Sequence, residues 1–152
     1  MVPARFVFKS DHIEEGSMPI PAADAIFSAT VQAMTNSAEH ASKNGEEVTR
    51  SISVSGLPGG GLHVIVQDDG AGFDLDRVSS ERLGVRVSIR ERVVAAGGDV
   101  EIDSAPGEGT RVSVSWQHPP VAERRDFDDD SELAAMSQNS ESALAEVREG
   151  GA

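Results

Sequence analysis

Twice along this chain a helical stretch closes on a glycine and gives way to a pair of alternating strands, and that order constrains the fold more than any other feature. Behind Pro21 the run AADAIFSATVQAMTNSAEHAS carries Phe27, Val31, Met34, Ala38 and Ala41 at steps of four and three, an apolar helical stripe. Proline suits a helix start, where its missing N–H has no partner to lose. Asn44-Gly45 ends this helix. Residues 48–55 then alternate at Ile52 and Val54, and residues 62–66 form a second strand beyond the turn Leu57-Pro58-Gly59-Gly60-Gly61, which makes a hairpin. Val85, Ile89, Val93 and Ala96 repeat the helical spacing until Gly97-Gly98 stops it. Residues 99–104 and 110–116 alternate around Ala-Pro-Gly-Glu-Gly. A short strand at residues 5–9 and a polar, proline-bearing loop over 11–21 come first. No stretch repeats another in sequence. Long helices ahead of hairpins predict an α+β two-layer sandwich, with helices on one face of a mixed, mostly antiparallel sheet.

The chain's 152 residues, 38% of them hydrophobic, suit one domain and a tail. His118-Pro119-Pro120 marks the boundary. Residues 1–118 are expected to fold, and 119–152 to form a flexible tail with nine acidic and three basic residues. In that tail Leu133, Met136, Leu144 and Val147 fit a weak amphipathic helix over 131–148. The absence of cysteine excludes disulfides, thiolate metal sites and cysteine nucleophiles. A formal net charge of −13 argues against nucleic acid as a partner, because phosphate backbones need a basic surface. No apolar run approaches a membrane span and the N-terminus lacks a signal-peptide core, so no direct membrane contact and a cytoplasmic location are expected.

Four pieces carry chemistry. Gln32, Asn36 and His40 are spaced by four and share one helix face, with Asn36 opposite Phe27. The segment VIVQDDGAGF delivers Asp68 from a strand into a turn where Gly70 and Gly72 permit close approach of backbone to a flat ligand; the carboxylate accepts hydrogen bonds such as an exocyclic amine offers. Leu83-Gly84 opens the helix at Val85, where free N–H groups suit phosphate oxygens. Pro106-Gly107-Glu108-Gly109-Thr110 is a tight turn before a strand. Each piece by itself is also what a solvated helix face, an Asp-Gly turn, a helix connection or a hairpin turn shows.

Their order and spacing together resemble the ATP-binding domain of sensor histidine kinases, within the wider group of gyrase, Hsp90 and MutL ATPases. The resemblance runs from about Arg5 to Trp116. ATVQAMTNSAEHAS is similar to the N-box, VQDDGAGFD to the first glycine box, and RLGVRVSIRERVVAAGGDVEIDSAPGEGTRVSVSW to the second glycine region and closing strands of NarL-type kinases of actinobacteria. The resemblance implies a Bergerat-type fold that binds ATP with Mg²⁺. It implies that Asn36 ligates the Mg²⁺ bridging the phosphates and Asp68 binds adenine. Gly70 and Gly72 shape the nucleotide floor, residues 74–83 form a lid hinged near Gly84, Phe73 and Leu83 join the nucleotide-binding set, Thr110 anchors the adenine end, and His40 stands near the phosphates. The partners implied are a histidine-bearing dimerisation domain of the same kinase and, through it, a response regulator.

This chain departs from the pattern at three points. Gln32 stands where a glutamate is usual and cannot act as a carboxylate base. Glu39 stands where lysine is common, and the second glycine region keeps only Gly84. Nucleotide binding is therefore expected more than turnover, and no residue is assigned as catalytic. None of His12, His40, His63 and His118 sits in a helical hairpin of the acceptor kind, so the chain is expected to be the C-terminal piece of a larger sensor kinase, anchored to a membrane upstream. The alternatives are an anti-sigma-factor-type serine kinase of the same fold and a non-catalytic module that binds nucleotide or a partner.

Overall fold

The computed structural model describes residues 4–13, 15–77 and 80–120, without the side chains of 80–86 and 88. The expected tail and its helix, beyond residue 120, lie outside the described residues. Five strands form one sheet: β1 (Val7–Asp11), β2 (Arg50–Gly56), β3 (Gly61–Asp68), β4 (Gly98–Ala105) and β5 (Gly109–Gln117). Their order is β1-β2-β3-β5-β4, with β1 parallel to β2 and every other pairing antiparallel. Two helices, α1 (Ile20–His40) and α2 (Ser80–Ala95), pack against the same face. The two-layer α+β expectation holds. β3, β4 and β5 each start one residue earlier than alternation placed them, because alternation is blind to glycine and Gly61, Gly98 and Gly109 join the ladders; β1 and β2 start two residues later.

The register decides the core. Val64, Val114 and Val100 lie abreast on β3, β5 and β4, and so do Val66, Val112 and Ile102. Both rows face the helices and are buried or half-buried. The other face is mostly polar, with Ser51, Ser53 and Ser55 on β2, His63 on β3, and Ser113 and Ser115 on β5 around Ile65. One solvated face is the usual condition of an antiparallel sheet.

The α1 stripe is corrected. Ala22, Ala25, Ile26, Ala29, Ala33 and Ser37 face the sheet, while Phe27 is 69% exposed and Val31 and Ala38 are also exposed. Met34 packs partly on the core and Ala41 is buried. That face is mostly alanine, with Ile26 as its one large buried anchor. Tertiary bonds fix the rotation of the helix. The Arg50 guanidinium donates to the Ser37 carbonyl, and the Ala71 N–H donates to the Ala41 carbonyl. The sequence pattern measured which side chains were apolar, and packing selected the small ones.

On α2 the expected stripe holds where it is described. Val93 is buried, and Ile89 and Ala96 pack against the core. The helix starts at Ser80 and not at Val85, so Gly84 lies inside it. The 74–83 segment contains a 3₁₀ turn at Leu75–Arg77; residues 78 and 79 lie outside the described residues.

Candidate nucleotide site

One rung beyond the two valine rows, the helix-facing side of the sheet turns polar. Asp68 on β3, Thr110 on β5 and Ser104 on β4 are cross-strand neighbours in register. Period-two alternation carries each strand from core to site without a break: Val64, Val66, Asp68 on one, Val100, Ile102, Ser104 on another. Ser104 is the centre of this row. Its Oγ accepts the Phe73 N–H at 3.0 Å and donates to the Gly109 carbonyl at 2.9 Å, which leaves Thr110 Oγ1 to donate across their 2.9 Å contact. The sequence reading missed Ser104; the available signal was a polar residue at a position where alternation called for an apolar one. Ser104→Ala removes the hydroxyl that accepts from Phe73 and Thr110 and donates to the Gly109 carbonyl. It is expected to destabilise the fold by about 1–2 kcal/mol, read as a lower urea midpoint at unchanged slope.

Asp68 is 5% exposed. Its Oδ1 accepts the Gly70 N–H at 3.1 Å, and its other oxygen has no hydrogen-bond partner among the described residues. The ladder places Arg50 directly across from Asp68, yet the guanidinium is occupied elsewhere. Nε and Nη2 donate to the Ser37 carbonyl at 3.4 and 3.3 Å, and Nη1 to the Val48 carbonyl at 3.3 Å. The bonds to Ser37 join the Ala41 N–H on that carbonyl in the last turn of α1, and all three leave the carboxylate without a salt bridge among the described residues. Asp69 has the structural role: its Oδ1 takes the Thr49 N–H at 2.8 Å.

The two glycines of the motif are sterically required. A Cβ at Gly70 would fall on the Ala41 carbonyl of α1, and one at Gly72 on the Ala105 carbonyl; Gly72 also has φ +57°. The turn thus threads between the end of α1 and the β4–β5 connection, where the Gly107 N–H closes on the Ala71 carbonyl at 2.7 Å. Lys43 Nζ reaches the Gly107 carbonyl from the α1 side at 3.3 Å.

On α1, Gln32 and Asn36 are half-buried, and Gln32 Nε2 donates to Asn36 Oδ1 at 3.0 Å. The next residue, Ser37, is 5% exposed, and its Oγ has no hydrogen-bond partner among the described residues. A buried hydroxyl with no partner needs a water or a ligand to satisfy it. His40 is exposed and lies 3.6 Å from Glu39, a surface pair of little energetic consequence. Leu83 and Gly84 fall on α2, and their surroundings lie outside the described residues.

A cavity of about 340 Å³ adjoins the polar row. Asp68, Ser104, Thr110, Glu108 and Arg111 line it, with Leu75 from the expected lid. Its size falls at the lower end of small-molecule sites. Of the expected residues it joins Asp68 and Thr110; Asn36, Gly70, Gly72 and Phe73 are not in its lining.

Comparison with known proteins gives the family and the fold. Residues 22–120 match the family of histidine kinase-, DNA gyrase B-, and HSP90-like ATPases. An uncharacterized sensor-like histidine kinase of Chloroflexus aurantiacus is 37% identical over 94 residues, 59% of this chain and 15% of that protein. Sensor histidine kinase YdfH of Bacillus subtilis is 36% identical over 86 residues, 55% of this chain and 20% of its own length. The matched stretch is therefore about a fifth or less of these relatives. Among solved structures, the histidine kinase domain of the Erythrobacter litoralis EL346 blue-light activated histidine kinase superposes with TM-score 0.57 at 24% identity, over 72% of this chain and 53% of that one, a likeness of fold. With a matched region covering well over half of its length, the chain belongs to the histidine kinase-, DNA gyrase B-, and HSP90-like ATPase family, as an ATP-binding domain of the histidine-kinase type.

Proposed function

We propose that residues 1–118 hold an adenine nucleotide with the base against Asp68 and the phosphates toward the polar face of α1, and present its γ-phosphate to a histidine on a separate dimerisation domain, from which it passes to a response regulator. The observation that carries this reading is the unsatisfied polarity of the site. Among the described residues, Asp68 keeps a carboxylate oxygen without a hydrogen bond because Arg50 is diverted, and Ser37 keeps a buried hydroxyl without a partner. A base with an exocyclic amine supplies a donor to the carboxylate, and a water beside it supplies a partner to the hydroxyl. Thr110, held by Ser104, adds a hydroxyl on the same row.

Phosphoryl transfer asks for positioning and charge neutralisation. In this reading Gly70, Gly72 and Phe73 form the floor and His40 stands at the rim, while Gly84 lies inside α2 and not at its start. Mg²⁺ travels with ATP on its phosphate oxygens, and Asn36 is the residue that would touch it. The fit there is poor: Asn36 Oδ1 already takes the Gln32 amide, and position 32 offers no carboxylate. Gln32 also provides no base for water, so hydrolysis by this chain is expected to be slow. The relatives named as sensor histidine kinases support the partner assignment, and residues 119–152 have no part in the binding proposed. Among the described residues no helix is long and apolar enough to cross a membrane.

Titration of the full chain with ADP tests the reading. Ligand at tenfold over its Kd stabilises a folded protein by about 1.4 kcal/mol, a rise of about 4–8 °C in melting temperature for a domain of this size. No shift at millimolar ADP, with no heat on titration, removes the nucleotide from the proposal.

A further inference from the structure

The Gln32–Asn36 contact fixes more than the position of two side chains. A primary amide has an acceptor oxygen on one side and a donor nitrogen on the other. Gln32 lies one turn before Asn36 on α1 and gives its Nε2 hydrogen to Asn36 Oδ1 at 3.0 Å. The oxygen is thereby turned toward Gln32, and the Nδ2 hydrogens face away from it. A group meeting Asn36 from the side away from Gln32 meets an N–H, which attracts a phosphate oxygen and repels a cation.

Glutamate at position 32 would reverse this polarity. A carboxylate only accepts, so it would take the Asn36 Nδ2–H and leave Oδ1 facing outward. It would also add a negative charge that favours a cation and disfavours phosphate. Residue 32 therefore sets which end of the Asn36 amide is offered. Both side chains are half-buried, so they are held against the protein and are not free to average over all orientations. Glu39, the nearest acid along the helix, is exposed and lies 3.6 Å from His40.

We propose that Asn36 meets the nucleotide's phosphates as a hydrogen-bond donor through Nδ2, with Gln32 as its positioning residue, so that adenine nucleotides bind this site with little dependence on a divalent cation. The proposal rests on the reading that the polar face of α1 looks on the phosphates.

The test is the ADP dissociation constant of the full chain, measured by calorimetry in millimolar Mg²⁺ and again in EDTA, for the parent and for Gln32→Glu. For the parent the two values should agree within about threefold, because the contact is a hydrogen bond and not a metal bond. For Gln32→Glu, affinity in EDTA should fall by about tenfold or more and recover with Mg²⁺, as the added charge and the outward oxygen come to need a cation. Gln32→Met, which has no donor and no charge, should weaken ADP several-fold in both buffers. The near-isosteric Gln32→Glu exchange leaves the fold in place, and its melting temperature without ligand confirms that. A parent that binds ADP about tenfold or more tightly with Mg²⁺ than in EDTA overturns the proposal, since Oδ1 would then face the cation. Failure of ADP to bind in either buffer overturns the nucleotide reading itself and this proposal with it.

Discussion

Asp68→Asn is expected to weaken ADP binding by roughly ten- to a hundredfold while leaving the fold in place. Asp68 closes β3 on the helix-facing side, is buried, and turns one oxygen toward the Gly70 N–H at 3.1 Å. Asparagine keeps the shape and can keep that bond with its oxygen. The second position then holds an NH₂ where an acceptor stood, and an NH₂ facing an amine donor is repulsive. Two effects act together: a charge-assisted contact is lost, and two donors are left facing each other. Fold stability changes little because no salt bridge is broken, Arg50 being engaged with the Ser37 and Val48 carbonyls. Calorimetric titration gives the affinity, and urea unfolding without ligand gives the stability. Equal affinity in variant and parent takes Asp68 out of the site; a large fall in stability shows that the carboxylate serves the fold.

The largest effect on stability is expected from Trp116→Ala, at about 3–5 kcal/mol. Trp116 is 5% exposed near the end of β5, abreast of Leu62 and Gly98. Its Nε1 donates to the Ala96 carbonyl at 3.0 Å, which ties the end of α2 to the sheet, and the His118 ring meets it edge-on at 4.7 Å. Removing the indole leaves a cavity and an unpaired carbonyl at once. A loss of this size is comparable with the whole stability of many small domains. Circular dichroism is the suitable readout, because the variant lacks the chain's single tryptophan. Trp116→Phe keeps most of the volume and should cost about 1–2 kcal/mol, chiefly for the lost N–H. Thr110 lies six residues away on the same strand, a span of about 20 Å, so the folded fraction of either variant should bind ADP as the parent does. A change of less than about 1 kcal/mol for Trp116→Ala would show that the core does not depend on the indole.

The sequence made Asp68, Gly70 and Gly72 legible because their signal is local. A strand that ends in Asp and runs into two glycines within four residues leaves few conformations, and the structure adds the reason each glycine is needed: the Ala41 and Ala105 carbonyls occupy the space of a side chain. Gln32 and Asn36 were legible as a pair on one face through helical periodicity. Ser37 and Arg50 were not. A buried hydroxyl without a partner and a guanidinium held away from its cross-strand carboxylate are facts about distant segments meeting, and no spacing in the chain encodes them.

The sequence by itself determined the element types, the α+β class and the order of the site's pieces, since periods of 3.6 and 2 and the positions of glycine and proline act between near neighbours. Only the tertiary structure decided which side of α1 faces the sheet. Judged by apolar character, Phe27 and Val31 belonged inside; the structure buries Ala22, Ala25, Ala29 and Ala33 and leaves Phe27 exposed. The reason is tertiary: the Ala71–Ala41 and Arg50–Ser37 bonds fix the rotation of α1, and the side they turn to the strands is the alanine side with Ile26 in it. The same rotation turns Ser37 toward the sheet and leaves Phe27 exposed, so the packing that overturned the apolar stripe also buried the Ser37 hydroxyl.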